Sequence, residues 1–413
     1  MKKQEAVIAK EELSEMRIAF CCYRYSIEVS PALKGMCSFL ADRGHSVSLL
    51  IDEMHRCADF RQDGLQINRL CQSLRRVRQT VDDWMPPRPA RIKRAIVAYL
   101  PKLGQRLYQY GVGRNARKFD FFIACDAISF RCLLANDVSP SQIIVPLLEG
   151  LEPFSEYSTR LSALRTLLAQ CRFTIVASED RGLSFEDSLQ GKLNYRIMPV
   201  SLRGKFARNA VPQFAPCHSE KANTLRLVQS GYFAPWTMLF EVAGSLANVS
   251  DVEMVFQGHA MAAEDTLVRF SRCINDMPHM SIDSRFFADD DHLRFLSSFD
   301  AGIACYPEAT ADDSFVATNW RNLLYSSGKI ATYLWAGLPV ITNIVCEETR
   351  SWPFLYVSQM NASAFQLALA EIRDHRLGLR RAAREFAESH FEMDKSLNNI
   401  FGFLHHEKPG TAA

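Results

Sequence analysis

The sequence lacks the features of a membrane-spanning, secreted or zinc-binding protein. None of its twelve cysteines forms a CxxC pair, and no uninterrupted apolar run reaches 18 residues. Charged residues punctuate residues 1–16, where a secretory signal would need an apolar core. These absences predict a cytoplasmic protein with a loosely attached or disordered N-terminus, whose cysteines serve as small core residues in a reducing compartment.

Composition places the chain among globular enzymes. Hydrophobic residues make up 48% of the 413 residues and charged residues 23%, which is far from the disordered class. A chain of this length exceeds what one hydrophobic core serves, so we expect two domains of roughly 200 residues each.

The overall net charge of +2 conceals a strongly basic block. Residues 69–118 hold thirteen Lys or Arg against Asp82 and Asp83, a local charge of +11, so the rest of the chain carries −9. A block of this kind predicts an anionic partner such as a membrane surface or a phosphate-bearing acceptor. No recognised nucleic-acid motif accompanies it, so we do not expect nucleic acid.

Strand-length apolar runs alternate with helical patterns throughout the chain, which predicts an α/β fold with parallel sheets. In the first half the predicted strands are 17–22, 46–52, 119–125, 142–148 and 173–177, with helices at 30–43 and 160–171. In the second half the strands are 225–230, 252–257, 301–306 and 339–343, with helices at 236–248, 327–336 and most of 362–405.

The repeated pattern predicts two tandem, Rossmann-like, doubly wound domains that face a central cleft. We expect a first domain at 17–202, a linker at 203–223 that contains Pro212 and Pro216, and a second domain at 224–390. Residues 391–413 would form a C-terminal helix and tail that packs back on the first domain. In such sheets ligands bind at the carboxyl ends of strands, next to helix N-termini.

The strongest local signal is the segment Ser326-Ser327-Gly328-Lys329, followed by the pattern IATYLWAGLPVI. The serines begin a helix and are expected to cap its exposed N–H groups. Those groups, the helix dipole and the Lys329 charge together attract phosphate. Gly337 then ends the helix before a buried strand. An ordinary α-β unit with a capping serine is the alternative interpretation.

The stretch KIATYLWAGLPVIT resembles the K-x-x-E-Y-x-A-x-G-x-P-V-I stretch of family 4 (group 1) GT-B glycosyltransferases. The opening LADRGHSV at residues 40–47 is similar to the L-A-x-R-G-H-x-V start of that superfamily. Residues 225–258 also resemble the opening of its donor domain, with strands that end in Gly231 and Gly258. About 350 residues follow the pattern in order, and residues 326–341 match it most closely.

The resemblance implies a donor site in the second domain. Its diphosphate would contact Ser326, Ser327, Gly328, Lys329, Gly231 and Tyr232. The nucleotide base would meet Phe286 and Phe287 through backbone contacts, with core or loop-anchoring aromatics as the alternative. Glu308, which otherwise would be a solvated loop acid, is the candidate for the donor-sugar contact.

Two departures from the family pattern concern the same site. Thr332 stands where the family commonly has a Glu that binds the nucleotide ribose, so a shorter and weaker hydroxyl contact is expected there. The segment Gly231–Thr237 also lacks the Arg and Lys that usually clamp the diphosphate.

The resemblance further implies a retaining reaction without metal or cofactor, in which the leaving diphosphate assists the incoming hydroxyl. Stabilisation of that diphosphate would be the main catalytic contribution. The acidic runs Asp289–Asp291 and Asp312–Asp313 are explained by turns and caps rather than by a metal site. Asp126 and Glu149, each after a predicted strand, are the candidate acceptor-side catalytic acids, with a helix cap or a surface acid as the alternative.

The basic block contains a predicted helix with an aromatic-aliphatic stripe. Its positive surface consists of Arg91, Lys93, Arg94, Lys102 and Arg106. Such a helix is typical of peripheral docking on an anionic membrane, here the inner face of the cell membrane. The alternative is that the stripe packs on the first domain.

The sequence thus predicts a glycosyltransferase that moves a sugar from a nucleotide sugar to a glycan or lipid-linked acceptor. Two alternatives remain open. One is a GT-B nucleotide-sugar epimerase or inverting transferase, for which Asp126 or Glu149 would act as acid or base. The other is a non-catalytic GT-B partner or scaffold, for which Thr332 and the missing basic clamp are the reasons.

Overall fold

The computed structural model describes residues 15–23, 30–51, 65–69, 104–148, 161–211, 224–234, 237–260, 264–285, 287, 289–307 and 323–405. These residues form two separate parallel sheets with helices between their strands. The prediction of two doubly wound α/β domains is confirmed.

The first sheet has seven parallel strands. They are β1 (Arg17–Cys22), β2 (Ser46–Ile51), β3 (Leu65–Arg69), β4 (Phe121–Ala124), β5 (Ile143–Leu147), β6 (Phe173–Val176) and β7 (Tyr195–Ile197), in the spatial order β3-β2-β1-β4-β5-β6-β7. The accompanying helices are α1 (Pro31–Asp42), α2 (104–116), α3 (Ala127–Leu134), α4 (Leu161–Gln170) and α5 (Glu179–Leu189).

The central strands of this sheet are apolar because helices cover both of their faces. Every residue of β4, β5 and β6 is buried, as parallel sheets require. The turn into α1 follows from its residues, since the Ser30 side chain accepts the Leu33 N–H and Pro31 occupies the first helical turn, where no donor is needed.

The second sheet has six parallel strands. They are β8 (Leu225–Phe233), β9 (Val252–Ala260), β10 (Met280–Asp283), β11 (Ala301–Ala304), β12 (Val340–Thr342) and β13 (Phe354–Tyr356), in the order β10-β9-β8-β11-β12-β13. Its helices are α6 (Gly204–Ala210), α7 (Leu239–Leu246), α8 (Glu264–Ile274), α9 (Asp289–Ser297), α10 (Leu323–Ser326), α11 (Gly328–Trp335) and α12 (Ala362–His390). Helix α13 (Met393–Phe401) follows α12, and most of it belongs to the same compact unit as the first sheet.

Each sheet reverses its winding direction at one place, between β1 and β4 in the first sheet and between β8 and β11 in the second. Loops that leave neighbouring strands in opposite directions open a crevice at the carboxyl ends of these strands. This topological switch point is where doubly wound folds bind ligands.

Helix α11 is anchored within its unit by the completely buried side chain of Trp335. The Trp335 indole N–H donates to Ser201 Oγ at 2.9 Å, and the Arg384 guanidinium carbon lies 4.9 Å from its ring centroid. Replacing a buried Trp with Ala costs about 3–5 kcal/mol, so the position of α11 is strongly determined by packing.

The chain forms two compact units, and their boundaries differ from the predicted domain boundaries. One unit comprises residues 1–176, 185–197 and 395–413, and the other comprises 177–184 and 198–394. Residues 204–210, expected in a linker, form α6 in the second unit, where Arg208 pairs with Glu392 at 2.8 Å. In the first unit, Phe403 contacts Phe121 and Phe173 at centroid distances of 5.5 and 5.8 Å.

Candidate functional site

The candidate site is the switch point of the second sheet, where three segments of this unit meet. The first is the end of β8 around Ser230 and Gly231, and the second follows β11 at Cys305 and Tyr306. The third is the N-terminus of α11. The Tyr333 hydroxyl of α11 holds them together, since it accepts the Ser230 N–H at 2.6 Å and lies 3.4 Å from the Ile303 carbonyl.

The first turn of α11 leaves the backbone N–H groups of Gly328 and Lys329 available, while the Ile330 N–H donates to the Ser327 carbonyl at 3.1 Å. Ser327 is the N-cap residue by backbone geometry, but its side chain makes no capping hydrogen bond. Its Oγ lies instead 2.7 Å from the Tyr306 hydroxyl, so the expected serine cap is absent. The first N–H groups of an α-helix have no partner inside the helix, and together with the helix dipole they form an anion-binding end.

Two glycines let β8 and β9 pass close together beside this helix end. Gly231 and Gly258 face each other in the strand register and have φ angles of +124° and +149°. A Cβ on Gly258 would lie 1.7 Å from the Gly231 carbonyl oxygen. A Cβ on Gly231 would lie 3.2 Å from Lys329 Cε and would crowd the lysine side chain, and the positive φ of this residue favours glycine.

Lys329 brings a positive charge into this confined space. Its Nζ lies 5.7 Å from the centroid of the Tyr306 ring, and no carboxylate pairs with it among the residues that the structure describes. Burial lowers the pKa of the Lys329 ammonium to about 8, although part of the side chain keeps contact with solvent. A desolvated cation without a counter-charge is a candidate for binding an anion.

Tyr306, which the sequence analysis did not single out, supports both Lys329 and Ser327. Asn343 fixes its backbone through two hydrogen bonds, one from the Tyr306 N–H at 3.0 Å and one to its carbonyl at 2.7 Å. Burial raises the pKa of the Tyr306 phenol to about 12, so the hydroxyl stays protonated. In the sequence, the position of Tyr306 at the end of a buried strand is the feature that could have indicated a site residue.

Thr332, predicted at the ribose, lies on α11 one turn after Gly328. Its hydroxyl donates to the Gly328 carbonyl at 2.6 Å, and the residue is 8% exposed. The oxygen retains acceptor capacity, but the proton is already used within the helix. The ribose contact stays a prediction.

Three further residues predicted at the donor site, Ser326, Tyr232 and Phe287, lie in the described part of the chain. Ser326 ends α10 and is partly exposed, and Tyr232 lies on β8 opposite His259. The Phe287 ring stacks on Phe295 at 4.7 Å, and the Arg285 guanidinium carbon lies 5.1 Å from its centroid. Phe286 and Glu308 lie outside the described residues.

Asp126 lies at the switch point of the first sheet and is held by backbone groups. Its Oδ1 accepts the Ser129 N–H at 2.8 Å as the N-cap of α3, and its Oδ2 accepts the Tyr23 N–H at 2.7 Å. The residue is 5% exposed. The structure therefore shows the helix-cap role that the sequence left open, while the catalytic role stays a prediction. Glu149 lies outside the described residues.

Of the basic residues predicted to meet a membrane, the structure describes Arg106. It is exposed on α2, and Tyr110, one turn later, is 65% exposed. Arg91, Lys93, Arg94 and Lys102 lie outside the described residues. Over the described part of the chain, no helix combines the length and the apolar character needed to cross a bilayer.

No protein-family profile matches the chain, and no curated protein matches its sequence. Solved structures do match its fold. HepE of Anabaena, in complex with UDP and glucose, is 12% identical with a TM-score of 0.65 over 95% of this chain and 100% of that chain. A glycosyltransferase from Rickettsia africae is 10% identical with a TM-score of 0.63 over 95% and 98%.

A sucrose-phosphate synthase from Thermosynechococcus elongatus is 12% identical, with a TM-score of 0.62 over 94% of this chain and 99% of that chain. These neighbours are GT-B glycosyltransferases. At such low identity the likeness establishes the fold alone. The chain therefore has the GT-B fold, two tandem Rossmann-like α/β domains.

Proposed function

We propose that this protein is a glycosyltransferase that moves a sugar from a nucleotide-diphosphate sugar to a glycan, lipid-linked or other glycoconjugate acceptor. One observation carries the proposal. At the switch point of the second sheet, Lys329, the open N-terminus of α11 and the Gly231 backbone lie together, and no described carboxylate neutralises the lysine. The complexes of HepE with UDP and with UDP-glucose support a nucleotide sugar as the ligand.

The same geometry suits the departure of a diphosphate. Two backbone N–H groups and one ammonium would stabilise the negative charge that develops when the bond to the sugar breaks. In a confined site such fixed donors act more strongly than they would in water. The diphosphate would occupy the space above Gly328 and Lys329, with Ser326, Ser327, Gly231 and Tyr232 around it.

We propose a retaining, metal-independent reaction of the family 4 type with no cofactor besides the donor substrate. Lys329 and the helix end supply the positive charge that a metal ion supplies in other transferases. The acceptor would bind in the first domain, with Asp126 or Glu149 as candidate catalytic acids there. Exposed Arg106 and Tyr110 on α2 support a peripheral contact with an anionic membrane.

A non-catalytic partner or scaffold is the second candidate. The observation that favours it is Thr332, whose hydroxyl already donates to the Gly328 carbonyl and offers the ribose only an acceptor. The sequence from Gly231 to Thr237 also carries no basic residue. A protein of this kind would retain the fold but bind nucleotides weakly or not at all.

A thermal-shift screen distinguishes the two candidates. UDP, GDP, ADP, CMP and dTDP sugars are tested against wild type, Lys329→Ala and the control Lys205→Ala, which removes an exposed lysine of the same unit. A ligand at 100 times its dissociation constant adds about 2.7 kcal/mol of stability. Stabilisation by one nucleotide class in wild type and in the control, but not in Lys329→Ala, supports the transferase.

Absence of stabilisation by every nucleotide, with the protein folded, would favour the non-catalytic candidate. For a donor that binds, the anomeric configuration of the transferred sugar can be followed by NMR. Retention in a reaction that chelators do not inhibit is the expected outcome. Inversion would contradict the proposed mechanism, and release of an epimerised nucleotide sugar would favour the epimerase.

A further inference from the structure

A second concave site lies within the first unit, at the opposite edge of its sheet from Asp126. It is a pocket of about 350 Å³, lined chiefly by Arg172, Arg196, Ser141, Gln170, Asn399 and Phe403. Ser141 precedes β5 and Arg172 precedes β6, so the pocket lies at the amino ends of the strands. A strand of four or five residues, about 13–16 Å, separates this edge from the switch point.

The aromatic rings of the pocket hold its two guanidinium groups in place. The Arg172 guanidinium carbon lies 4.2 Å from the Phe403 ring centroid and 5.1 Å from that of Phe121. The Arg196 carbon lies 5.8 Å from the Phe173 centroid. Cation–π contacts of this kind restrict the motion of a guanidinium group, whose N–H donors match planar or tetrahedral anions.

The charged side chains that line the pocket are both cationic. Among the described residues that line it, none is acidic. Helices α4 and α13 end beside the pocket, at Gln170 and Phe401, and each helix C-terminus contributes roughly −0.5 of a charge. The two arginine side chains nevertheless make the described lining favour an anion over a cation.

Arg196 in particular retains donor capacity. Within the described residues its hydrogen bonds all involve Nη1, to Asn194 Oδ1 at 3.5 Å and to the Tyr195 carbonyl at 3.3 Å. Both distances are at the long end of the hydrogen-bond range. The other nitrogens of this guanidinium group are able to donate to a ligand in the pocket.

The neutral polar residues of the pocket indicate what else the ligand carries. Ser141 offers a hydroxyl, and Gln170 and Asn399 offer amides, each of which both donates and accepts. Such groups match sugar hydroxyls, while the arginines match a phosphate. The volume is at the small end of the range for ligand sites and accommodates one monosaccharide.

We propose that this pocket binds a small phosphate-bearing ligand of the sugar-phosphate type, at a site separate from the nucleotide-sugar site of the second unit. Arg196 and Arg172 would hold the phosphate, and Ser141, Gln170 and Asn399 would contact the hydroxyls. Because Asn399 and Phe403 come from the C-terminal segment, an occupant would also fasten that segment to the first sheet.

Calorimetric titration at fixed ionic strength tests the proposal with inorganic phosphate, glucose 6-phosphate and glucose as probes. Wild type should bind glucose 6-phosphate more tightly than inorganic phosphate and should not bind glucose. Arg196→Ala should weaken phosphate binding about tenfold or more, and Arg196→Lys less, since lysine keeps the charge but loses the fork of donors. Arg117→Ala, which removes an exposed arginine outside the pocket, should bind as wild type does.

Lys329→Ala serves as the second control, because it removes the charge of the proposed diphosphate site, and the binding that Arg196→Ala weakens should persist in it. Equal binding of phosphate and glucose 6-phosphate would show that the site takes the free anion, which overturns the sugar-phosphate part of the proposal. The pocket itself is excluded if neither anion binds to the folded protein. It is also excluded if Arg196→Ala has no effect, or if Lys329→Ala abolishes the signal.

Discussion

The two switch points have the same topology, but the charged residue of each has a different environment. In the first sheet the carboxylate of Asp126 accepts two backbone N–H groups, from Tyr23 and Ser129, and is nearly buried. In the second sheet Lys329 has no described carboxylate partner, and the serine that should cap its helix bonds to Tyr306 instead. The first charge has hydrogen-bond partners within the protein, and the second has no carboxylate partner among the described residues.

The same topology therefore places one charged residue where it stabilises the fold and another where it has no described counter-charge. A polar group whose partners belong to the protein stabilises it, whereas a charge without a partner costs stability and marks a binding site. Mutations at the two switch points should therefore have opposite consequences, large for stability at the first and large for binding at the second. The pair Gly231 and Gly258 in the second sheet is a special case, because the backbone of these glycines is itself part of the candidate site.

Gly258→Ala should have the largest effect. The new Cβ would lie 1.7 Å from the Gly231 carbonyl oxygen at a φ of +149°, so the two strands must separate. We expect a loss of about 4 kcal/mol in the free energy of unfolding, measured by urea denaturation. Gly244→Ala in α7, where a Cβ meets nothing within 4 Å, should instead stabilise by about 0.5–1 kcal/mol. Equal effects of the two substitutions would contradict the close crossing.

Asp126→Ala should have the next largest effect, about 3 kcal/mol of destabilisation. It removes an N-cap and leaves the Tyr23 N–H without its acceptor in a buried position. Asn361→Ala removes only an exposed cap of α12, bonded to the Ala364 N–H at 3.0 Å, and should cost about 1 kcal/mol. If both variants unfold at the same urea concentration, Asp126 is not the structural bridge that its contacts indicate.

Lys329→Met should leave the free energy of unfolding unchanged or slightly raised near neutral pH. It should weaken nucleotide binding about tenfold or more, and a tenfold loss corresponds to about 1.4 kcal/mol. The pKa of Lys329 is about 8 in the folded protein, below its ordinary 10.5. The unfolded chain therefore binds this proton more tightly, and the contribution of Lys329 to stability should rise with pH between about 8 and 10.5.

The measurement compares urea midpoints of wild type and Lys329→Met at several pH values across that window. Their difference should shift in favour of wild type as pH rises. Nucleotide affinity of wild type should fall above the pKa of the lysine in the complex, because the ammonium loses its charge. A pH-independent difference between the two proteins would mean that Lys329 is solvated as an ordinary surface lysine.

The sequence predicted the parts of the fold that rest on continuous apolar runs. The strands β1, β2, β4, β5 and β6 and the helices α1 and α4 lie within two residues of their predicted bounds. The strand β7 was missed because it has three residues, of which Arg196 and Ile197 are exposed. Helix α3 was not predicted as an element, although a helix cap was one interpretation of Asp126, and Asp126 is the N-cap of this helix.

The candidate site was predictable only where neighbours in sequence form it. The segment Ser327–Lys329 is contiguous, so its pattern is visible in the chain. The contact of Tyr306 with Ser327 joins two loops 21 residues apart, and it depends on how β11 and α11 pack. The contact of Ser230 with His292, at 3.2 Å, spans 62 residues for the same reason. No local pattern encodes such pairs.

Tyr306→Phe should have the smallest effect on the free energy of unfolding. It tests nucleotide binding separately from packing, because only a hydroxyl is removed. The ring remains, so the free energy of unfolding should change by about 1 kcal/mol or less. The Ser327 hydroxyl, freed from Tyr306, would then be able to cap the N–H groups of α11 and compete with phosphate for them. Nucleotide affinity should therefore fall about three- to tenfold, measured by calorimetry, while Lys329 keeps its charge.

Tyr325→Phe is the matched control, because it removes a hydroxyl bonded to Glu348 at 2.9 Å in the same unit. It should leave nucleotide affinity at the wild-type value. The double variant Tyr306→Phe with Ser327→Ala should recover most of the affinity, since no hydroxyl is then left to cap the helix. If affinity stays low without that hydroxyl, Tyr306 acts through its own contact with the ligand, and the open helix end is not what distinguishes the second switch point from the first.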